Sequence, residues 1–504
     1  MLKKFFITLF ITTLILITAC SKNIDKKNKQ HLTLNIVSEP QSLDPRKVRD
    51  LNAVNLSKLL FDGLMRVSKT KDVECAIAKS YKISEDKRTY TFTLKDAYWS
   101  NGKKLTAYDF EYTLKSNLMP EFASNASSLF IFKGAKKAKN REILIDDIGI
   151  KAIDEKTLVF ELKKPCPYFL NLLTCPSFFA VNKDMDQKNP KWAQDKNNFV
   201  SNGAFTLDEW KQNDVITCKK NEYYWDKDKV KLQKLSFLML TNDVELNMFE
   251  LNQLDIAGSP YSSITVDSLN ELKKDKNYHV SPYFGTSFLR VNSKKISDLN
   301  FRKDLINAFD RKKITEHVLQ GGQLATSKLI PVKKEMDVPI FKKDYRAKKI
   351  TLTYVSNDRS HILAQALQRD FKENLNLNVS LKAMERKTYY EKLKSLDYEL
   401  ALYSWIADFS DPIDFLNVFK YKDSSTNNTG WENESFIKLL EDSENVLDDK
   451  ERKKLLKQAE EILLSEAPII PIYHLTQNFL KKETLKDINL YPSGFLDLKY
   501  AYFE

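Results

Sequence analysis

Apolar and polar residues alternate along this chain in two rhythms. A period of two marks half-buried strands at His31-Leu-Thr-Leu-Asn-Ile-Val37 and Tyr90-Thr-Phe-Thr-Leu94. Ser38-Glu39-Pro40 breaks the first, and Asn101-Gly102 is a hairpin-type turn beyond the second. The helical period appears over residues 54–61, which end at Asp62-Gly63. It returns after Thr106, where Asp109 stands at capping-box spacing and Phe110, Leu114 and Leu118 share a face. Phe301, Leu305 and Phe309 form another such stripe, read as core. From residue 350 the rhythms alternate. A strand at 350–355 leads through Ser356-Asn357-Asp358, which offers N-cap chemistry, into a helix striped by Leu363, Ala364, Leu367 and Phe371. A second strand follows at 377–381. Strand, helix and strand at this spacing imply a parallel crossover and a sheet covered by helices. A helix at about 387–394, a strand at 398–403, a helix at 448–466 and a short strand at 469–473 complete the pattern.

The strand at 398–403 delivers the chain into Ser404-Trp405-Ile406-Ala407-Asp408-Phe409-Ser410-Asp411-Pro412. Pro412 marks where regular pairing stops. Ligands of open parallel sheets bind beyond the carboxyl ends of the strands, and Asp408 lies at such an end. Two acids and two aromatics at a strand exit make a compact place to hold a cationic group, and a carboxylate bonds an ammonium better than a neutral acceptor does.

Composition narrows the function classes. The 504 residues are too many for one hydrophobic core, so two or three domains are expected. The formal charge of +12 comes from lysines spread along nearly every segment among Asp and Glu, the pattern of a solvated surface and not of a nucleic-acid site. Five histidines stand singly (His31, His279, His317, His361 and His474), without zinc-type spacing, so no metal or other cofactor is expected. There is no Gly-x-Ser-x-Gly elbow and no His-Glu-x-x-His, which argues against an exported peptidase and for a protein that is not an enzyme. At the N-terminus, Lys3 and Lys4 precede an apolar run over 5–17, too short for a spanning helix, which needs about 20 apolar residues. Ile17-Thr18-Ala19-Cys20 resembles the bacterial lipobox, which implies a signal peptide over 1–19, lipidation of Cys20 and a polar tether over 20–30. Cys75, Cys166, Cys175 and Cys218 remain. Cys166 and Cys175 are spaced to close a small loop in a compartment that permits disulfides, and their pairing stays open.

Several short motifs then follow in order: Glu39-Pro40-Gln41-Ser42-Leu43-Asp44-Pro45, Leu60-Phe61-Asp62-Gly63-Leu64, Ile83-Ser84-Glu85-Asp86 and the stretch from Trp99 to Phe110. Later come Phe199-Val200-Ser201-Asn202-Gly203-Ala204-Phe205, Asn221-Glu-Tyr223-Tyr224-Trp225-Asp226 and Asp298-Leu-Asn-Phe301-Arg302. Together they resemble the family 5 solute-binding proteins, extracytoplasmic receptors of peptide ABC importers, over about residues 39–485. The resemblance implies an α/β, two-lobed periplasmic-binding-protein-like fold (type II, cluster C) with an extra domain. Lobe I would comprise residues 31–52, 180–282 and 475–504; the extra domain, 53–179; lobe III, 283–474. It implies an exported, membrane-anchored monomer, most similar to the oligopeptide-binding members, that binds an oligopeptide between closing lobes as an added strand. Permease and ATPase subunits would come from other chains.

The resemblance also assigns site residues. Asp408 matches the position that holds the ligand α-ammonium, with Trp405 beside it and the backbone of Ser404 and Ile406 near the peptide. Glu39 and Asn202-Gly203 match pocket-lining positions of the other lobe. The pattern departs at the carboxylate end of the ligand, where the family's arginines are replaced by Leu393 and Leu402. Arg386 and Arg290 are the candidate replacements. That departure leaves room for a dipeptide or a murein peptide as cargo; nickel and haem fit the sequence less well.

Overall fold

The computed structural model describes residues 29–70, 73–122, 126–333, 338–446 and 448–504. The signal peptide and Cys20 lie outside the described residues. One eleven-stranded sheet runs through the molecule. Its order is Phe205–Lys211, Val215–Lys220, Lys234–Leu238, His31–Asn35, Ile256–Gly258, Ile469–Lys481, Tyr278–Val291, Leu400–Ile406, Lys349–Val355 and Asn378–Met384. Leu324–Ala325 joins off this path, against Ile469–Lys481. A separate antiparallel sheet orders Ala78–Ile83, Thr89–Leu94, Thr157–Glu161 and Ile150–Ala152. This is the mixed α/β architecture anticipated above.

Local chemistry explains most elements near the site. The helix Leu51–Leu60 starts where the Asp50 carboxylate accepts the Ala53 N–H, which satisfies one of the orphan donors of a first turn. The Thr106/Asp109 capping box forms and starts Ala107–Leu118, which buries Phe110, Leu114 and Leu118. Asn357 caps Asp358–Leu375, whose stripe of Leu363, Ala364, Leu367 and Phe371 is buried. The crossover is parallel, since Lys349–Val355 pairs Asn378–Met384 on one side and meets Leu400 and Ala401 on the other.

Two findings bear on how the molecule is divided. First, residues 53–179 share one apolar cluster with the strands on either side of them in sequence. Leu32, Leu34, Phe61, Trp99, Phe110, Phe160, Phe205 and Phe237 all belong to it. Second, Tyr278–Val291 and Ile469–Lys481 are long antiparallel neighbours that run unbroken through positions 282 and 474. The region beyond them has its own clusters, around Leu289, Leu352 and Phe371 and around Phe415, Phe436 and Leu456. It also reaches back to residues 164–168. Tyr168 stacks on Phe409 with ring centroids 5.3 Å apart, and Lys164 pairs with Glu444.

Candidate functional site

The strand Leu400–Ile406 is paired unevenly. On one side it matches Tyr278–Val291 along its whole length, from Gly285↔Ile406 to Val291↔Leu400. On the other side Lys349–Val355 reaches only Leu400 and Ala401. The Ala407 N–H donates to the Phe284 carbonyl at 2.9 Å and the Asn292 N–H to the Glu399 carbonyl at 3.0 Å. In an antiparallel ladder the bonded positions recur every second residue. Tyr403 and Trp405 therefore turn their backbone groups inward, and Ser404 and Ile406 turn theirs to the open edge. The Tyr389 hydroxyl closes the bottom of that edge by donating to the Leu402 carbonyl at 2.6 Å. Leu402 itself packs into an apolar core.

Asp408 stands at the top of the edge, two residues past the strand. Its carboxylate accepts no hydrogen bond from the described residues, although its backbone N–H donates to Asp414 Oδ2 at 3.1 Å. The side chain keeps open surface but is walled by protein on most sides. Desolvation raises its carboxyl above the usual range, and the facing Lys58 ammonium draws it partway back. Trp405 is half-buried, and its indole N–H donates to the same Asp414 oxygen at 3.1 Å. Burial first, then the neighbouring Asp408, push the Asp414 carboxyl up to about 8. Lys58, from the helix Leu51–Leu60, is held below its usual value by desolvation, against the pull of Cys175, Asp408 and Asp497. Cys175 Sγ lies 3.9 Å from the Asp408 carbonyl oxygen, and burial pushes that thiol up to about 12. A thiol that holds its proton is no nucleophile.

The remaining candidates separate. Asp411 accepts both bonds of the Arg452 guanidinium, at 2.7 and 2.8 Å, and the pair is buried. Glu39 is half-buried and accepts the Trp210 indole N–H at 2.5 Å. Asn202 is buried, and its amide bonds both backbone groups of Asp62, at 2.9 and 3.2 Å. A side chain at Gly203 would meet the backbone of Leu59 and Leu60 at 2.5–2.6 Å. Asn202 and Gly203 thus fasten their loop to the end of Leu51–Leu60. Arg290 is also enclosed. It pairs with Ala401 across the ladder, and that face is covered by aromatic rings. The side chain is fully buried, with one bond to the Asn427 carbonyl at 2.9 Å and its guanidinium 3.9 Å from the Tyr403 ring. Arg386, in contrast, is exposed at the first position of Arg386–Lys394, beside Tyr390 in a shallow depression. All four described cysteines are free, so no Cys166–Cys175 bridge forms. Sequence reasoning missed Lys58 and Asp414. Lys58 was hidden inside an apolar helix stripe, and Asp414 sits past a proline that was read as a stop. No group of His, Cys, Asp and Glu suited to a metal occurs among the described residues.

Comparison with known proteins places this geometry. Residues 72–427 match the model of the bacterial extracellular solute-binding proteins, family 5. The oligopeptide-binding protein OppA of Bacillus subtilis is 37% identical, over 95% of this chain and 94% of its own length. The dipeptide-binding protein DppE of the same organism is 33% identical, over 93% and 91%. The crystal structure of Haemophilus influenzae OppA in complex with RPPGFSPFR superposes with a TM-score of 0.79 at 26% identity, covering 95% of this chain and 99% of that one. The chain belongs to the family 5 bacterial extracellular solute-binding proteins.

Proposed function

We propose that this protein is an extracytoplasmic receptor that captures peptides by main chain and amino terminus and delivers them to a peptide ABC importer. One observation carries the reading: an open strand edge at Ser404 and Ile406 that ends on the unpaired carboxylate of Asp408. A peptide added to that edge would exchange backbone hydrogen bonds regardless of its side chains. Its α-ammonium would come to rest on Asp408, where partial desolvation strengthens the ion pair. The relatives named for oligopeptides and dipeptides support the ligand class. Lobe I and lobe III would close on the peptide, with Tyr278–Val291 and Ile469–Lys481 as the connection that flexes. With Leu402 in the core and Arg290 sealed, Arg386 is the remaining cation proposed for the ligand carboxylate. Lipidation at Cys20 would hold the receptor at the membrane.

The test uses unblocked and N-acetylated versions of the same alanine peptides. Asp408→Ala should weaken the unblocked peptides by about 2–5 kcal/mol, because it leaves a desolvated ammonium unpaired. The acetylated ones should change little. Equal losses for both would remove Asp408 as the anchor, and product peptides in the mixture would replace the receptor by a hydrolase.

A further inference from the structure

Asp414 has no part in capture as described so far. It belongs to the short helix Ile413–Asn417, and its Oδ2 accepts both the Trp405 indole N–H and the Asp408 backbone N–H. These bonds fix a second carboxyl beside the first at the end of the open strand edge. The charged and titratable groups that face the pair are few. Lys58 and Cys175 come from the opposite wall, with Asp497 behind Lys58, and Asp411 comes from the same loop. Asp411 is committed to Arg452. Cys175 keeps its proton. Lys58 makes no ion pair with Asp408 or Asp414 and is the one cation among the described residues that acts on Asp408.

Two carboxyls facing one lysine leave the empty site one positive charge short of neutrality. We infer that the neighbouring carboxyls of Asp408 and Asp414 share one proton in the ligand-free receptor and give it up when an ammonium enters, so that peptide capture releases one proton. The O–H bond of the protonated carboxyl of the pair breaks, the electron pair stays on that carboxylate, and the proton passes to solvent. The filled site then holds Asp408, Asp414, Lys58 and the ligand ammonium, two negative and two positive. Burial and the mutual repulsion of two neighbouring carboxylates hold the shared proton in place, and the arriving cation removes that bias. This inference rests on the peptide reading above.

Isothermal titration with unblocked alanine peptides of about two to five residues tests it, in two buffers of different ionisation enthalpy. At about pH 6.5 the peptide amine, with its value of about 8, stays protonated. The native protein should release close to one proton per peptide bound, and its affinity should rise by up to tenfold per pH unit towards pH 8. Asp414→Asn should bind with no proton release and with affinity that is flat over that range. Should that variant fail to fold, the buffer dependence of the native protein decides alone. Binding by the native protein without proton release overturns the inference and leaves the peptide reading standing. Release that persists undiminished in Asp414→Asn overturns the sharing of a proton by the pair. If no peptide of the panel binds, the peptide reading fails and takes the inference with it.

Discussion

Three aspartates spaced three residues apart, Asp408, Asp411 and Asp414, meet different fates. Asp411 is locked bidentately to Arg452, Asp414 accepts two N–H groups, and Asp408 is left without a donor. Arg452→Met should therefore cost about 3–5 kcal/mol, read from the urea midpoint, since it strands the buried Asp411 charge. The sequence marked Asp408 and Asp411 alike as acids at a strand exit. What distinguishes them is Arg452, on the distant helix Asp449–Glu466, and that contact leaves no local trace in the chain. Arg290 shows the converse. It was legible as a cation near the pocket, but the parity of its strand position turns it under the Tyr403 ring.

At the scale of elements, periodicity located the capped helices closely, because their caps and stripes are both local. Long strands were harder. The short strand read at 469–473 is only the start of Ile469–Lys481, and no alternation marks Tyr278–Val291; the two carry Pro471 and Pro282 within them. Register shifts between Pro282 and Thr286 and between Ser287 and Phe288 let the ladder continue past both. Leu400–Ile406 likewise extends past the alternation that ends at Tyr403, because its partner strand continues. The half-paired state of that strand makes a prediction about backbone exchange. The amides of Ser404 and Ile406 should exchange quickly without ligand and slow by at least tenfold with peptide bound, while Tyr403 and Trp405 change little. Hydrogen exchange at residue resolution checks this. Protection that appears at Trp405 in place of Ser404 would mean that the ligand does not add to this edge.

At the scale of the molecule, the ordered motifs carried the family and the fold, but not the sharing of one apolar cluster by residues 53–179 and their flanking strands. The contacts of residues 164–168 with the C-terminal region were not legible either, since Tyr168–Phe409 and Lys164–Glu444 join segments more than two hundred residues apart. A stacked aromatic pair contributes about 0.5–1.5 kcal/mol. Tyr168→Ala should therefore shift the ligand-free protein several-fold towards an open form, seen as a larger radius of gyration in small-angle scattering and abolished by saturating peptide. The open strand edge has a consequence of its own. Unpaired edges invite sheets to grow from molecule to molecule. Here the free stretch is two bonding residues long, capped below by the Tyr389 hydroxyl and above by an unsatisfied carboxylate. Two receptors meeting edge to edge would press acid against acid. Under the proposed capture, a strand that brings its own positive tip would be admitted and a second copy of the receptor turned away.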